Sequence, residues 1–172
     1  MLLKSLMKKT FILNVFAFIL SVILLAGCQF STEVKKDLKT GLTTSYNGFK
    51  VRDVFLSNFI AQRLPSNKIP LNSTFLIIAT GVENYTLKNG RAYPGCEITI
   101  KDKTGKVMGH IDDAMADVKN GLMPETVTTL SARATLRQPP FVKGETYHVT
   151  VRFFDKQNSK NKINADIDIV VE

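Results

Sequence analysis

The sequence has little of the chemistry from which active sites and disulfide frameworks are built. Its 172 residues include two cysteines, two histidines and no tryptophan. His110 and His148 do not belong to a His-Glu-x-x-His or comparable metal-binding spacing, so each is predicted to be an ordinary strand residue. A Gly-x-Ser-x-Gly elbow is absent, and the glycine-containing stretches are typical of turns rather than of phosphate-binding loops. The sequence therefore predicts a protein that is not an enzyme and that holds no cofactor.

Acidic residues are also missing from the N-terminal segment, where the first one is Glu33. Lys4, Lys8 and Lys9 precede an apolar run over residues 11–26 that only one Asn and one Ser interrupt. A helix of this length spans about 24 Å, which is short of the ~30 Å hydrocarbon core of a bilayer. The pattern is typical of an export signal, and a retained membrane anchor is the alternative.

The apolar run ends in Leu25-Ala26-Gly27-Cys28, which resembles the lipobox of bacterial lipoproteins at every position. The resemblance implies that residues 1–27 are a signal peptide and that the chain is cut between Gly27 and Cys28. It also implies that the sulfur of Cys28 carries a diacylglycerol group, which attaches the protein to a membrane. The alternative is a small buried cysteine that ends a hydrophobic helix.

The residue after the lipidated cysteine bears on localisation. In the lipoprotein family, Asp at this position favours retention at the inner membrane, and Gln29 does not give that signal. The resemblance therefore implies the outer membrane if the host has one, facing either the periplasm or the outside. In a host with a single membrane, it implies the outer surface of that membrane.

The charge of the mature chain is modest. The sequence has 23 basic and 15 acidic residues, and removal of the three signal-peptide lysines lowers the net charge from +8 to +5. The basic residues are not gathered into one run, so nucleic acid is not an expected partner. Residues 28–39 are polar and lack apolar periodicity, which predicts a tether. Its Lys35, Lys36 and Lys39 would either lie against anionic headgroups or be simply solvated.

From residue 40 onward, the sequence indicates short strands separated by turn residues. Asn47-Gly48 stands between the β-rich runs 42–46 and 49–56 and predicts a hairpin, because a type I′ turn needs positive φ at both central residues. The apolar run over residues 75–79 predicts a fully buried strand. The folded domain is therefore expected to span residues 40–172.

The middle of the chain carries weaker signals. Asp102-Lys103-Thr104-Gly105 predicts a second hairpin, which joins strands over residues 96–100 and 106–108. Residues 112–120 are the one stretch predicted to be helical, because Asp112 can cap a first turn and a glycine follows the last. Alternation over residues 126–136 predicts a half-buried strand.

The C-terminus has the clearest periodicity. Apolar residues alternate with polar ones over residues 147–153 and again over residues 163–171, which predicts an antiparallel hairpin that is apolar on one side. With seven or eight strands and at most one short helix, the sequence predicts an all-β protein with a single antiparallel β-sandwich.

The stretch Gly144-Glu145-Thr146-Tyr147 and the alternating residues after it resemble the penultimate strand of fibronectin type III and other immunoglobulin-like domains. The resemblance implies an immunoglobulin-like sandwich in which the Tyr147 hydroxyl ties its strand to a nearby corner. The chain departs from these families in lacking the buried core tryptophan.

Three groups of residues are candidate sites. Asp112, Asp113 and Asp117 supply oxygen ligands for Ca²⁺, although their spacing is not that of an EF-hand, and helix capping with a solvated face is the alternative. Three tyrosines near turns could offer aromatic faces to a glycan: Tyr46, Tyr85 and Tyr93. The alternative is that these side chains are partly buried in their loops. Cys96 has no disulfide partner if Cys28 is lipidated, and it is predicted to be a small core residue rather than a reactive thiol.

These observations predict a non-catalytic lipoprotein of the bacterial cell envelope. Its sandwich is expected to act as a scaffold or accessory module that binds another envelope protein through loops or a strand edge. The alternative function is capture of a ligand such as a glycan. A hydrolase would require His110 or His148 to contact both a carboxylate and a nucleophile.

Overall fold

The computed structural model describes residues 33–172, so the predicted signal peptide, its cleavage position and Cys28 lie outside the described residues. Within this range the chain forms ten strands and one short 3₁₀ helix. The strands are β1 (Glu33–Lys36), β2 (Thr43–Asn47), β3 (Asp53–Asn58), β4 (Lys68–Ile69), β5 (Thr74–Thr80), β6 (Pro94–Asp102), β7 (Val107–Ile111), β8 (Thr129–Thr135), β9 (Thr146–Asp155) and β10 (Asn158–Val171). The 3₁₀ helix, Pro124–Val127, precedes β8.

The strands form two sheets that pack face to face. The large sheet has the order β1-β2-β10-β9-β6-β7, with the short β4 also paired to β10, and the small sheet has the order β3-β5-β8. The neighbouring strands are antiparallel except for β4 and β10, which are parallel. One core cluster contains side chains from both sheets. The predicted all-β sandwich is confirmed, with more strands than expected.

The C-terminal hairpin is confirmed and forms the centre of the large sheet. β9 and β10 pair along most of their length, from Thr146 with Val170 to Asp155 with Asn158. Every residue predicted to face the core is buried: Tyr147, Val149, Val151, Phe153, Ile163, Ala165, Ile167, Ile169 and Val171. Their polar neighbours lie on the outer face of the sheet, which explains why the alternation in the sequence is so regular.

The prediction of a hairpin at Asn47-Gly48 is wrong. β2 pairs with β1 and β10 in the large sheet, whereas β3 pairs with β5 in the small sheet, so the chain crosses between sheets at this point. Gly48 has the expected positive φ of 73°, but Asn47 stays in the extended conformation of β2. A type I′ turn needs positive φ at both positions, and only one position meets this need.

The second predicted hairpin is confirmed. β6 and β7 pair around a turn in which Gly105 has a φ of 85°. The Asp102 Oδ1 atom accepts the backbone N–H groups of Thr104 at 2.8 Å and Lys106 at 3.0 Å. A turn that is closed by the carboxylate of its first residue depends on neighbours in sequence, which is why the sequence predicted it correctly.

The predicted helix over residues 112–120 is wrong, since this stretch forms turns. Asp113 faces the protein, where its Oδ1 atom accepts the N–H of Cys96 at 3.0 Å and that of Met115 at 2.8 Å. The carboxylate thus accepts hydrogen bonds from one N–H near the start of β6 and one in its own loop, and it does not cap the first turn of a helix. The stretch also lacks an apolar stripe that would hold a helix on the core.

The sandwich begins earlier than residue 40. β1 lies inside the segment predicted to be a tether and pairs with β2 from Glu33 with Tyr46 to Lys36 with Thr43. Its sequence gave no strand signal because an exposed edge strand is held by backbone hydrogen bonds rather than by an apolar face. Residues 29–32 are therefore all that separates Cys28 from the sandwich.

Tyr147 ties β9 to the segment before it, as the immunoglobulin-like resemblance implied. Its hydroxyl accepts the backbone N–H of Val142 at 3.0 Å, and its ring packs edge-on against Phe141 with 5.0 Å between the centroids. The Tyr147 side chain is buried, so the loop over residues 139–145 is fixed against the end of the core.

We expect Tyr147→Phe to lower the free energy of unfolding by about 1–2 kcal/mol, because the Val142 N–H loses its acceptor while the ring contact stays. Denaturant titration measures this. Tyr93→Phe is the matched control, since the Tyr93 hydroxyl has no hydrogen-bond partner among residues 33–172. Equal stability of the two variants would show that the Tyr147 hydroxyl does not stabilise the fold.

Candidate binding site at the β7 edge

β7 is an edge strand of the large sheet, and within the described part of the chain it pairs with β6 alone. Natural sandwiches protect such edges with lysine, proline or bulges. β1, at the opposite edge, carries Lys35 and Lys36. β7 has neither lysine nor proline, and its one bulge lies at Met108, which leaves Gly109 to Ile111 in regular pairing. The backbone of these residues is open to an additional strand.

The inner face of β7 is not covered by the small sheet. Ile111 lies opposite the buried Ile98, so its side chain is on the core side of the sheet, yet it remains 46% exposed. The small sheet is only three strands wide and ends at β8, before it reaches β7.

A cleft of about 200 Å³ lies between β7 and β8, and we name it the β7 cleft. Its lining is mostly apolar and comes from β6, β7, β8 and the loop that follows β8, with these apolar side chains: Ile98, Ile100, Met108, Ile111, Ala134 and Phe141. The cleft is thus a continuation of the core that opens at the unpaired edge.

Gly109 forms an open part of the β7 cleft. It pairs with Ile100, which places it on the inner face, and a Cβ atom built on it would have no other atom within 4 Å. Its φ is not positive, so the backbone does not require glycine here. A glycine inside a strand often marks a place where a ligand or another backbone approaches closely.

This arrangement suits an extended peptide. A strand added beside β7 would bond to its unpaired N–H and C=O groups and direct alternate side chains into the β7 cleft. The sequence did not identify this site. Gly109 and the apolar Ile111, both just beyond the strand predicted over residues 106–108, were the available signals, but edge position depends on the assembled sheet.

The tyrosines that were candidates for a glycan platform are not presented as one. Tyr46 is part of the core cluster. Tyr85 packs edge-on against Phe49, its hydroxyl donates to the Val127 carbonyl at 3.2 Å, and burial raises its pKa. Tyr93 is half-buried, with its ring close against Gly121. None of them therefore exposes a full ring face.

The three carboxylates that were candidates for Ca²⁺ point to different partners. Asp113 Oδ2 pairs with the Lys156 ammonium at 2.7 Å, Asp112 contacts His110 at 2.8 Å, and Asp117 is exposed. Within residues 33–172, no three acidic, histidine or cysteine side chains lie close enough together to hold a metal ion. The structure does not bring this set together as a metal site.

Both histidines lie on the outer face of the large sheet. His148 contacts Asp168 at 2.9 Å, and its neighbour Thr150 donates to Asp166 at 3.1 Å. These side chains bond to one another across β9 and β10, so this face is a polar, internally hydrogen-bonded surface.

His110 makes the two contacts that a hydrolase would require of it. Its Nδ1 lies 2.8 Å from the Thr99 hydroxyl, and its Nε2 lies 2.8 Å from Asp112. The Asp112 side chain is, however, 96% exposed, so water competes for the pair. Thr99 is inside β6, which pairs with strands on both sides, so the neighbouring backbone N–H groups are engaged in the sheet and cannot form an oxyanion hole.

Cys96 is a buried core residue, as expected from the sequence. Burial, followed by the charges of Asp113 and Glu97, raises the pKa of its thiol to about 12. The thiol is therefore protonated at neutral pH and is not a nucleophile.

Comparison with known proteins assigns the chain to no family. No family model and no curated protein matches the chain. The C-terminal domain of wzt is 12% identical, with a TM-score of 0.47, over 83% of this chain and 80% of that one. The soluble domain of PmoD from Methylocystis sp. is 10% identical, with a TM-score of 0.37, over 82% and 98%. Superoxide reductase (neelaredoxin) from Ignicoccus hospitalis is 9% identical, with a TM-score of 0.38, over 74% and 82%.

We expect Asp113→Ala to lower the free energy of unfolding by about 1–3 kcal/mol at neutral pH, because two backbone N–H groups and Lys156 lose their acceptor. Burial opposes ionisation of Asp113, but its contacts with Lys156, Cys96 and Met115 outweigh burial and hold its pKa below the ordinary 3.8. Its contribution is thus present above pH 3.8 and is lost as the pH falls through the lowered pKa.

Unfolding measured from pH 7 to pH 2 tests this prediction. The difference between wild type and Asp113→Ala should shrink below pH 3.8. Asp112→Ala, which alters an exposed neighbour, should change stability by less than about 0.5 kcal/mol. A difference for Asp113→Ala that stays constant over the acid range would contradict the assigned cause.

Proposed function

We propose that this protein is a lipid-anchored, non-catalytic module of the bacterial cell envelope that binds a partner protein through β7. The observation that carries the binding proposal is the combination of an unprotected strand edge and the apolar β7 cleft beside it. The partner supplies an extended segment of about four or five residues in which apolar side chains alternate, so that one face enters the cleft.

The anchoring proposal rests on Leu25-Ala26-Gly27-Cys28. Of the described residues, none forms a helix long and apolar enough to cross a membrane. The lipid on Cys28 is the attachment, and Gln29 favours the outer membrane in a host that has one.

The energetics of the site favour a peptide over a glycan. Covering the apolar side chains of the β7 cleft stabilises a complex by about 25 cal/mol for each Å² of apolar surface removed from water. A sugar would need an exposed aromatic face, which Tyr46, Tyr85 and Tyr93 do not offer. Backbone pairing along the edge adds orientation and register to the apolar contact.

We expect a photo-crosslinking residue at Ile111 of the full-length lipidated protein to capture one envelope protein in intact cells. Gly109→Leu should abolish the adduct, because its side chain fills the β7 cleft. Gly109→Ala is the matched control: its single Cβ meets no atom within 4 Å, and the adduct should persist. Mass spectrometry of the crosslinked peptide reads out the partner segment.

Two results would contradict the proposed site. One is an adduct that survives Gly109→Leu in a protein whose thermal unfolding is unchanged. The other is equal capture from Val34, which is exposed on the lysine-bearing β1 edge. Slower amide exchange in β7 of the isolated complex is expected as an independent sign of strand addition.

A second experiment tests the anchor alone. Cys28→Ala should leave the chain uncut and without acyl label, because the thiol that takes the lipid is missing. Labelling with a clickable fatty acid and gel mobility measure both effects, and Cys96→Ala is the control that should keep both. Cleavage and membrane fractionation that do not change in Cys28→Ala would refute the lipoprotein assignment.

A further inference from the structure

Glu33, the first described residue, lies at one end of the sandwich. Glu33 pairs with Tyr46, and Tyr46 pairs with Ile163 near the start of β10. Five Cα-to-Cα steps join Cys28 to Glu33, and they span at most about 18 Å. β9 alone is ten residues, or about 33 Å, long. The loops near Glu33 are therefore held close to a lipidated Cys28, and those at the opposite end are held away from it.

The loops near Glu33 include those over residues 81–93, 112–128 and 156–161. The Asn161 side chain donates to the Asn84 carbonyl at 2.8 Å, and the Lys156 ammonium donates to the Met115 carbonyl at 2.7 Å. These bonds join the loops from both sheets into one end surface.

An apolar group lies on this end surface, and we name it the apolar tip: the exposed Leu87, Leu122 and Met123 and the half-buried Pro124. Leu122 and Ala92 exchange two backbone hydrogen bonds of 2.8 and 2.9 Å, so the tip is fixed in place. Leu87 and Pro124 line an open cleft of about 310 Å³ together with Val82 and Tyr85. Lys88 and Lys119 are exposed on these loops. The cleft lining also includes two acidic residues, Glu125 and Glu83, and Glu83 pairs with Lys50 at 2.8 Å.

The opposite end also exposes apolar side chains, such as Leu38, Phe59 and Val142. Apolar character alone therefore does not distinguish the ends. The length of chain between Cys28 and β1 does, because a tether of at most about 18 Å keeps the apolar tip next to the surface in which the acyl chains are inserted.

We propose that the apolar tip rests on the phospholipid bilayer that holds the lipid of Cys28, with Leu87, Leu122 and Met123 in its interfacial region. This inference rests on the proposed lipid anchor. The sandwich then stands on the membrane by this end, and basic side chains beside the tip meet the headgroups.

The absence of tryptophan from the chain supplies a clean probe. Met123→Trp and Val142→Trp each place a single indole at a position that is 51% exposed, one at the tip and one at the far end. The full-length lipidated variants are reconstituted into phosphatidylcholine–phosphatidylglycerol vesicles with or without brominated acyl chains. Flotation of the vesicles reports anchoring separately.

We expect the fluorescence emission of Met123→Trp to shift to shorter wavelength when the protein is bound to vesicles. Brominated lipid should quench roughly half of its fluorescence intensity, as for an indole ring about 5–10 Å into the interface. Val142→Trp should be unaffected. Equal quenching of both, or of Val142→Trp alone, in vesicles that float with the protein would overturn the orientation while leaving the anchor intact. A blue shift that depends on protein concentration and occurs without quenching would overturn the orientation, because it would show that the tip contacts a second copy of the protein. Protein that does not float would overturn the anchor itself.

Discussion

The large and small sheets have unequal widths, and both the core and the exposed surfaces follow from this constraint. Three strands cannot cover a path of six, so the apolar side chains of β9 and β10 are buried in the core shared with the small sheet while outer strands of the large sheet overhang. On one side the overhanging β1 carries lysines. On the other, β7 carries apolar residues and a glycine, and the core continues outward as the β7 cleft.

The overhang also explains why apolar residues are tolerated at the surface here. Ile111 belongs to the inner face by register, and Met108 lines the β7 cleft, so replacing them with charged residues would place the charges beside Ile98 and Phe141. Ile111 and Met108 are apolar, yet the small sheet does not extend far enough to cover them. A strand from another protein that paired with β7 would extend the large sheet and place its own inward side chains beside Ile111 and Met108.

The elements that the sequence predicted correctly are those whose cause is local. The alternation in β9 and β10 arises because one face of these strands is buried in the core and the other faces solvent. The turn before β7 is closed by Asp102 within its own loop. The errors arise where a partner lies far away in sequence. Gly48 has the conformation expected of it, but the sheet that receives the next strand is decided by β5, and Asp113 caps β6 instead of a helix.

The candidate functional features also differ in whether they depend on neighbouring residues or on the assembled fold. The lipobox resemblance of Leu25-Ala26-Gly27-Cys28 depends on four neighbouring residues alone, so it can be recognised without knowledge of the fold. The β7 edge has no such motif, because a strand becomes an edge only when every other strand has found its place.

The two surfaces also fit one geometry. β7 runs from Val107 toward the end of the sandwich at which the apolar tip lies, since Ile111 pairs with Ile98 near the start of β6. If the tip lies on the bilayer, β7 runs toward the membrane on the flank of the domain rather than beneath it. A partner strand added there would extend out from the membrane surface, and the lipid anchor and the bound protein would not compete for the same face.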